Sequence, residues 1–320
     1  MSQIVNSPPL LTFPDAEKSP LSIRAKALVF IDPRSKQLRD RVDQLAAQPL
    51  ALLIEGETGT GKELLARHIH RASERPGLFV ALSCSSLSNK HAQAELFGYV
   101  AGAYQGSPSS RAGWFGSANH GTLYLDEIGD LPLPLQSELL SALETGEVLR
   151  VGASQTSSAD VRLLAATSID LSQAVEAGKF NERLYGYLSD GRLNLPPLRE
   201  RIGDILPLAE YFLGIYAHRL GLPLPAISDA AQQRLEAHNW PGNTRELENV
   251  IHFALLVSSG DEILSQHLNL VGSVAPLTAV QTAIEAILND TQPEQLCELQ
   301  QLIKVSQERL HKLINVADAP

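Results

Sequence analysis

The chain has 320 residues, 44% of them apolar, enough to build one large domain and one or two small ones around a genuine core. Its formal net charge of −10 argues against a broad non-specific nucleic-acid surface, although not against a small local DNA reader. No apolar run approaches the roughly 20 residues that span a bilayer, the start carries no basic-then-apolar signal, and the two cysteines, Cys84 and Cys297, match no metal spacing. A cytoplasmic protein with reduced thiols and no membrane partner is therefore expected.

Residues 1–26 contain Pro and Ser with little periodicity, which predicts an extended N-terminal arm. From Ala27 onward the pattern is dense. A helix is predicted over 35–46, then a strand at Ala51-Leu52-Leu53-Ile54, which runs into Gly56-Glu57-Thr58-Gly59-Thr60-Gly61-Lys62-Glu63. A strand that ends in a glycine-rich turn and opens a helix, here 62–73, cradles phosphate. The helix N-terminus favours an anion, and Lys62 can reach the terminal phosphates. Glu63 stands where a Ser or Thr hydroxyl usually touches Mg²⁺. Its carboxylate either helps to hold a hydrated Mg²⁺ or points away and leaves the metal to Asp126 and water. His68 and His70, two apart on the same helix and so not on one face, read as surface residues.

Further strands are predicted at 78–82, 122–126 and 161–166, and a helix at 134–145. The third strand ends in Asp126-Glu127, the second half of a nucleoside triphosphate site: Asp126 to hold Mg²⁺ and Glu127 to orient or deprotonate the attacking water. Trp114 reads as packing a hairpin. Alternation of this kind predicts a three-layer α/β domain with a mostly parallel sheet. Near Pro197 the strands are expected to stop, with helices 203–219, 228–237 and 244–258 following and Ser228 and Asn243 at cap positions. Residues 273–276 look like a linker, after which Leu277, Val280, Ile284, Ile287 and Leu288 have helical spacing. Segments 294–302 and 306–314 are spaced as a helix-turn-helix.

Five motifs together carry a resemblance. They are Gly56 to Glu63, Glu95-Leu96-Phe97-Gly98, Gly121 to Asp130, Leu195-Pro196-Pro197-Leu198-Arg199-Glu200-Arg201, and Trp240-Pro241-Gly242-Asn243-Thr244-Arg245-Glu246. In this order they resemble the sigma-54-dependent transcriptional activators, AAA+ ATPases also called bacterial enhancer-binding proteins. The whole chain looks most like those members without a receiver domain, including regulators of sulfone and organosulfur use. The resemblance implies an AAA+ P-loop subdomain over 27–198, a helical lid over 199–272, and a linker with a Fis-like helix-turn-helix over 273–320. It implies a homo-oligomeric ring, usually of six subunits, that uses ATP and Mg²⁺ to remodel sigma-54 RNA polymerase and that binds upstream promoter DNA. Gly56 to Glu63 would be the phosphate loop, Asp126 and Glu127 the Mg²⁺ and water residues, and Thr167 the strand-end sensor near the γ-phosphate. Arg245 would read the nucleotide from the lid; its alternative is a surface salt bridge with Glu246 or Glu248.

The departures are equally specific. The family's polymerase-contacting loop, Gly-Ala-Phe-Thr-Gly-Ala, reads here Gly102-Ala103-Tyr104-Gln105-Gly106-Ser107. Both glycines and an aromatic tip remain, but a longer Gln105 replaces the threonine, and the Tyr104 hydroxyl has to stay wet or find a partner. After Phe180 the family carries two arginines that reach the neighbouring subunit's ATP, and this chain has Asn181 and Tyr187 there, with Arg183 and Arg192 nearby. Such an arginine can be worth roughly 10³–10⁵ in rate. Ser83 stands where the family has an asparagine that restrains the catalytic Glu. In the C-terminal segment Lys304 replaces a turn glycine. Ser306, Gln307, Arg309 and Lys312 are the candidates for DNA contact, against a local excess of acidic residues.

Two readings of different class follow. The first is an ATP-hydrolysing activator whose activity is set by its amount or by a separate partner. The second is a nucleotide-binding DNA regulator with little or no hydrolysis, acting by occupancy or by co-assembly with another activator. A P-loop kinase or motor without a DNA role fits the long motif match less well.

Overall fold

The computed structural model describes residues 28–270, apart from positions 89, 105–106 and 259–261, together with the backbone of residues 10–11. The linker and helix pair expected beyond 273, with Ser306, Gln307, Arg309 and Lys312, lie outside the described residues, as do Gln105, Gly106 and most of the arm over 1–26.

The first elements are β1 (Leu10–Leu11), β2 (Leu28–Val29), α1 (Pro33–Ala46), β3 (Leu52–Glu55), α2 (Lys62–Ala72), β4 (Phe79–Ser83), α3 (Ala92–Phe97) and α4 (Gly113–Ser117). They are followed by β5 (Thr122–Asp126), α5 (Leu133–Thr145), β6 (Glu147–Val148), β7 (Ser157–Ser158), β8 (Arg162–Thr167), α6 (Leu171–Glu176), α7 (Glu182–Ser189) and β9 (Arg192–Asn194). The last are α8 (Ile205–Leu220), β10 (Ala226–Ile227), α9 (Asp229–Ala237), α10 (Asn243–Val257) and β11 (Glu262–Ile263).

The main sheet has five parallel strands in the order β4-β5-β8-β3-β9. Side chains alternate across a strand, so a sheet covered on both faces needs apolar residues at nearly every position. Leu53, Leu123, Leu125, Leu163 and Ala165 face one core, together with Leu139 of α5 and Leu184 of α7. Leu52, Ile54, Leu164 and Ala166 face the other, with Val42 of α1 and Leu65 and Ile69 of α2. The result is the expected three-layer arrangement. β9 was not among the predicted strands, because Arg192-Leu193-Asn194 holds one apolar residue; it is placed by parallel pairing with β3.

A third core belongs to the helical lid, where Ile205, Phe212, Trp240, Leu247 and Ile251 are buried. Trp240 holds a left-handed backbone (φ 48), a strained choice for a bulky residue. Its indole is fully buried and donates from Nε1 to Leu235 O at 2.8 Å, which pins it. Two expectations are corrected here. Strands do not stop at Pro197, since β10 and β11 pair in parallel inside the lid. Asn243 is not the cap of α10; that position is Gly242. Asn243 has φ 52, which turns its side chain away from the helix and onto the phosphate loop. Ser228 does cap α9, accepting from Ala231 N at 3.3 Å. Among the described residues no helix is long and apolar enough to cross a membrane.

Candidate functional site: a glycine-rich cleft between sheet and lid

The loop after β3 is closed by Thr60, whose Oγ1 donates to Glu57 O at 2.8 Å, and by Gly59 and Gly61, with φ of +83 and +104. Gly59 is required twice over. Its φ suits glycine, and a Cβ there would stand 2.4 Å from Gly242 O, where the lid backbone lies against the loop. The loop opens directly into α2, so the positive end of an 11-residue helix faces the cleft. Lys62, 6% exposed, reaches back to donate to Gly56 O at 2.9 Å and lies 3.3 Å from Glu127 Oε1.

Opposite, β5 ends in Asp126, and Glu127 turns off the strand in a left-handed conformation (φ 48). Asp126 Oδ1 accepts from the Tyr124 hydroxyl at 2.9 Å. Glu127 Oε2 accepts from Ser168 N at 2.9 Å and Ser168 Oγ at 2.8 Å. Glu63 is held along α2 by Arg67, at 2.7 and 3.0 Å. Lys62, Glu63, Arg67, Tyr124, Asp126 and Glu127 line a cleft of about 270 Å³, with Thr58, Gly59 and Gly61 from the loop and Phe212, Thr244, Arg245 and Glu248 from the lid. A cation at a helix N-terminus facing two carboxylates suits a polyphosphate with a divalent metal. Glu63 and Asp126 both line this cleft.

The lid is tied to the loop by contacts that no local pattern announces. Arg199 makes a two-pronged pair with Glu57, at 2.8 and 2.5 Å. That pairing, helped by Asn243, holds the Glu57 carboxyl at about 2. Asn243 Nδ2 also donates to Thr58 O at 3.1 Å, while its Oδ1 accepts from Leu198 N at 2.8 Å. Buried Arg201 donates to Thr60 O at 3.0 Å and to Thr244 Oγ1 at 3.3 Å. Arg245 N donates to Gly59 O at 3.3 Å, and the residue lines the cleft. Its candidate salt-bridge partners are used elsewhere: Glu246 accepts from Gly242 N at 2.7 Å and Glu248 from the Tyr216 hydroxyl at 2.8 Å.

Other predicted site residues fall as follows. The Thr167 hydroxyl donates to Ile169 O at 3.2 Å and Thr167 lines a separate crevice beside Glu57, Asp170 and Arg199. It is the next residue, Ser168, that touches Glu127. Sequence reasoning missed Ser168, and its only signal was its place after the strand-end threonine. Ser83 Oγ pairs with Ser85 Oγ at 2.9 Å. In the loop over 102–107, Gly102 N donates to Ser107 O at 2.8 Å, and Ser107, 3% exposed, donates from Oγ to Tyr104 O at 2.6 Å. Ala103 N donates to Val100 O at 3.1 Å at the foot of the loop. The Tyr104 ring lies 5.1 Å from Tyr99 and 5.2 Å from His91, and a hydrogen bond with Tyr99 raises its phenol pKa. His68 and His70 are half-buried rather than on the surface; His70 Nδ1 lies 2.8 Å from Thr122 Oγ1. Trp114 lies on α4, 41% exposed.

At the positions of the family's arginines, Asn181 caps α7 by accepting from Leu184 N at 3.0 Å and donates to Ser137 Oγ at 3.1 Å. Tyr187 packs partly buried against the core. Arg183 pairs with Glu144 at 3.0 Å, and Arg192 lies over the Tyr185 ring at 4.7 Å.

This geometry agrees with what the chain is similar to. Residues 28–194 match the sigma-54 interaction domain and residues 199–273 the AAA+ ATPase lid domain. The sigma-54-dependent transcriptional activator SfnR of Pseudomonas putida is 50% identical over 262 residues, covering 82% of this chain and 72% of that protein. The anaerobic nitric oxide reductase transcription regulator NorR of Escherichia coli O1:K1 / APEC is 45% identical over 253 residues, 77% of this chain and 50% of NorR. Among solved structures, NtrX from Brucella abortus in complex with ATP superposes with a TM-score of 0.69 at 32% identity, covering 76% of this chain and 54% of that one. The first of these domains spans more than half of the chain, and the second accounts for the lid; this protein belongs to the sigma-54-dependent transcriptional activators, built on an AAA+ nucleotide-binding fold.

Proposed function

We propose that the chain is an ATP- and Mg²⁺-dependent AAA+ ATPase that assembles as a homo-oligomeric ring, engages sigma-54 RNA polymerase through residues 102–107 and acts from upstream DNA. The observation that carries this reading is the convergence of Lys62, Asp126 and Glu127 on one cleft closed by Arg245 of the lid. Lys62 and the loop N–H groups from Thr58 to Lys62 would hold the phosphates, with Asp126 and Glu63 on the metal side. Bound Mg²⁺ would neutralise charge on the β- and γ-phosphates during transfer to water. Glu127, freed from Lys62, would take the proton of the attacking water, with Ser168 fixing the direction of its carboxylate. Arg199 and Asn243 would pass a change at the loop to the lid, because both end on Glu57.

A second reading is favoured by a specific contact. Asn181 is committed as the cap of α7, so the place of one trans arginine is filled by a residue with a local structural task. On that reading the protein binds nucleotide, hydrolyses it poorly, and acts by occupancy or by co-assembly with another activator. Capture of sigma-54 by the purified protein, with ATP, with a transition-state mimic and without nucleotide, separates the two. Nucleotide-dependent capture that Lys62→Ala abolishes supports the motor. Capture that is the same in all three states contradicts it.

A further inference from the structure

On β5, Thr122, Tyr124 and Asp126 share one face, since side chains two apart point the same way. That face looks toward α2. Tyr124 is 1% exposed, and its ring is fixed by packing rather than by its hydroxyl. Phe79 of β4 stacks on it, with centroids 5.9 Å apart and planes 23° apart, and the Arg67 guanidinium lies over the Phe79 ring at 4.6 Å from its centroid. The hydroxyl at the end of this clamped ring enters the cleft and meets Asp126 Oδ1 at 2.9 Å.

We infer that Tyr124 is a positioning residue for the metal-binding carboxylate: its hydroxyl occupies one oxygen of Asp126 and aims the other at the divalent cation. The inference rests on reading the cleft as a nucleotide–Mg²⁺ site. Two observations carry it. The donor is rigid, its ring buried on β5 and stacked against Phe79 of β4, so the orientation it imposes on Asp126 is rigid too. The acceptor is the strand-end carboxylate that is not paired with Lys62, and among the described residues the Tyr124 hydroxyl is the hydrogen-bond donor that fixes it. Groups that orient a metal ligand from behind are often worth 10- to 100-fold in metal affinity. The competing explanation is that a buried hydroxyl merely satisfies itself on the nearest acceptor. That explanation expects an effect on stability and none on the metal.

The test is Tyr124→Phe, which keeps the ring and its packing. Mn²⁺ binding to the complex of the 320-residue protein with ADP is followed by electron paramagnetic resonance, and ADP binding in EDTA by calorimetry. The inference expects Mn²⁺ affinity to fall by roughly tenfold with ADP affinity in EDTA unchanged. Unchanged Mn²⁺ affinity in Tyr124→Phe overturns it, provided Asp126→Ala loses the metal. If Asp126→Ala binds Mn²⁺ as well as the wild type, the metal-site reading itself fails, and this inference with it. Should Tyr124→Phe fold poorly, Phe79→Leu loosens the clamp instead and must also weaken Mn²⁺; an unchanged Mn²⁺ affinity there overturns the inference.

Discussion

Lys62 and Glu127 neutralise one another at 3.3 Å across the cleft, which keeps a nearly buried ammonium from standing alone. Removing Lys62 therefore deletes a phosphate contact and also leaves Glu127 without its cation. Ser168 acts on the other oxygen of the same carboxylate, with both its backbone N–H and its hydroxyl. Ser168→Ala is predicted to lower kcat for ATP about tenfold with KM little changed, because orientation of the base matters in the transition state more than in binding. Steady-state kinetics check this; a raised KM at full kcat would assign Ser168 to binding instead. Glu57 gives a pH signature. Its carboxyl falls from 4.5 to about 2 on folding, first through the Arg199 hydrogen bonds and then through Asn243. A lowered folded-state pKa contributes stability that is complete above 4.5 and is lost as pH falls toward about 2. The difference in denaturation midpoint between wild type and Glu57→Gln is thus predicted to be constant above that window and to shrink within it.

At the scale of elements, the joint between the phosphate loop and α10 stands out. Asn243 is fully buried, sits at φ 52 and satisfies the N–H of Leu198 as well as Glu57 and Thr58. Asn243→Ala removes the partner of the Leu198 N–H and of Thr58 O, while Glu57 keeps Arg199, and is predicted to destabilise the protein by about 1–3 kcal/mol, measured by urea denaturation. The sequence announced the β3–loop–α2 unit because its information is local: an apolar run, positive-φ glycines and a lysine within a dozen residues. It also announced the layers, since Leu52 to Ile54 and Leu163 to Ala166 are apolar on both faces. It hid β9, whose strand character comes from pairing with β3 and not from its three residues. It hid the Arg199–Glu57 pair as well, because the partners are 142 positions apart and each alone reads as a solvated charge. Asn243 was misread for a related reason. Its type suits a helix cap, and only the fold reveals that a longer-range donor and acceptor compete for it.

For the whole molecule the central question is what completes the cleft. The chain spans about half the length of NtrX and NorR, and its own residues 28–194 and 199–273 match the sigma-54 interaction domain and the AAA+ lid. Among the described residues the cleft holds Lys62, Arg67 and Arg245 as its cations. Arg67 is committed to Glu63 and Phe79. Asn181→Arg offers a trans arginine at the family's position but removes the cap of α7. It is predicted to lose about 1 kcal/mol of stability while raising hydrolysis only at concentrations where the protein assembles. Raised hydrolysis in the dilute protein would mean that the new arginine acts within its own subunit.

The most direct test is ATP hydrolysis by the purified protein across a concentration series, with Lys62→Ala as the control. Specific activity is predicted to rise steeply with protein concentration and to vanish in Lys62→Ala, as a cleft completed by a neighbouring subunit requires. Measurable ATP binding with no hydrolysis at any concentration would contradict it, and would leave a regulator for which nucleotide is only a structural ligand.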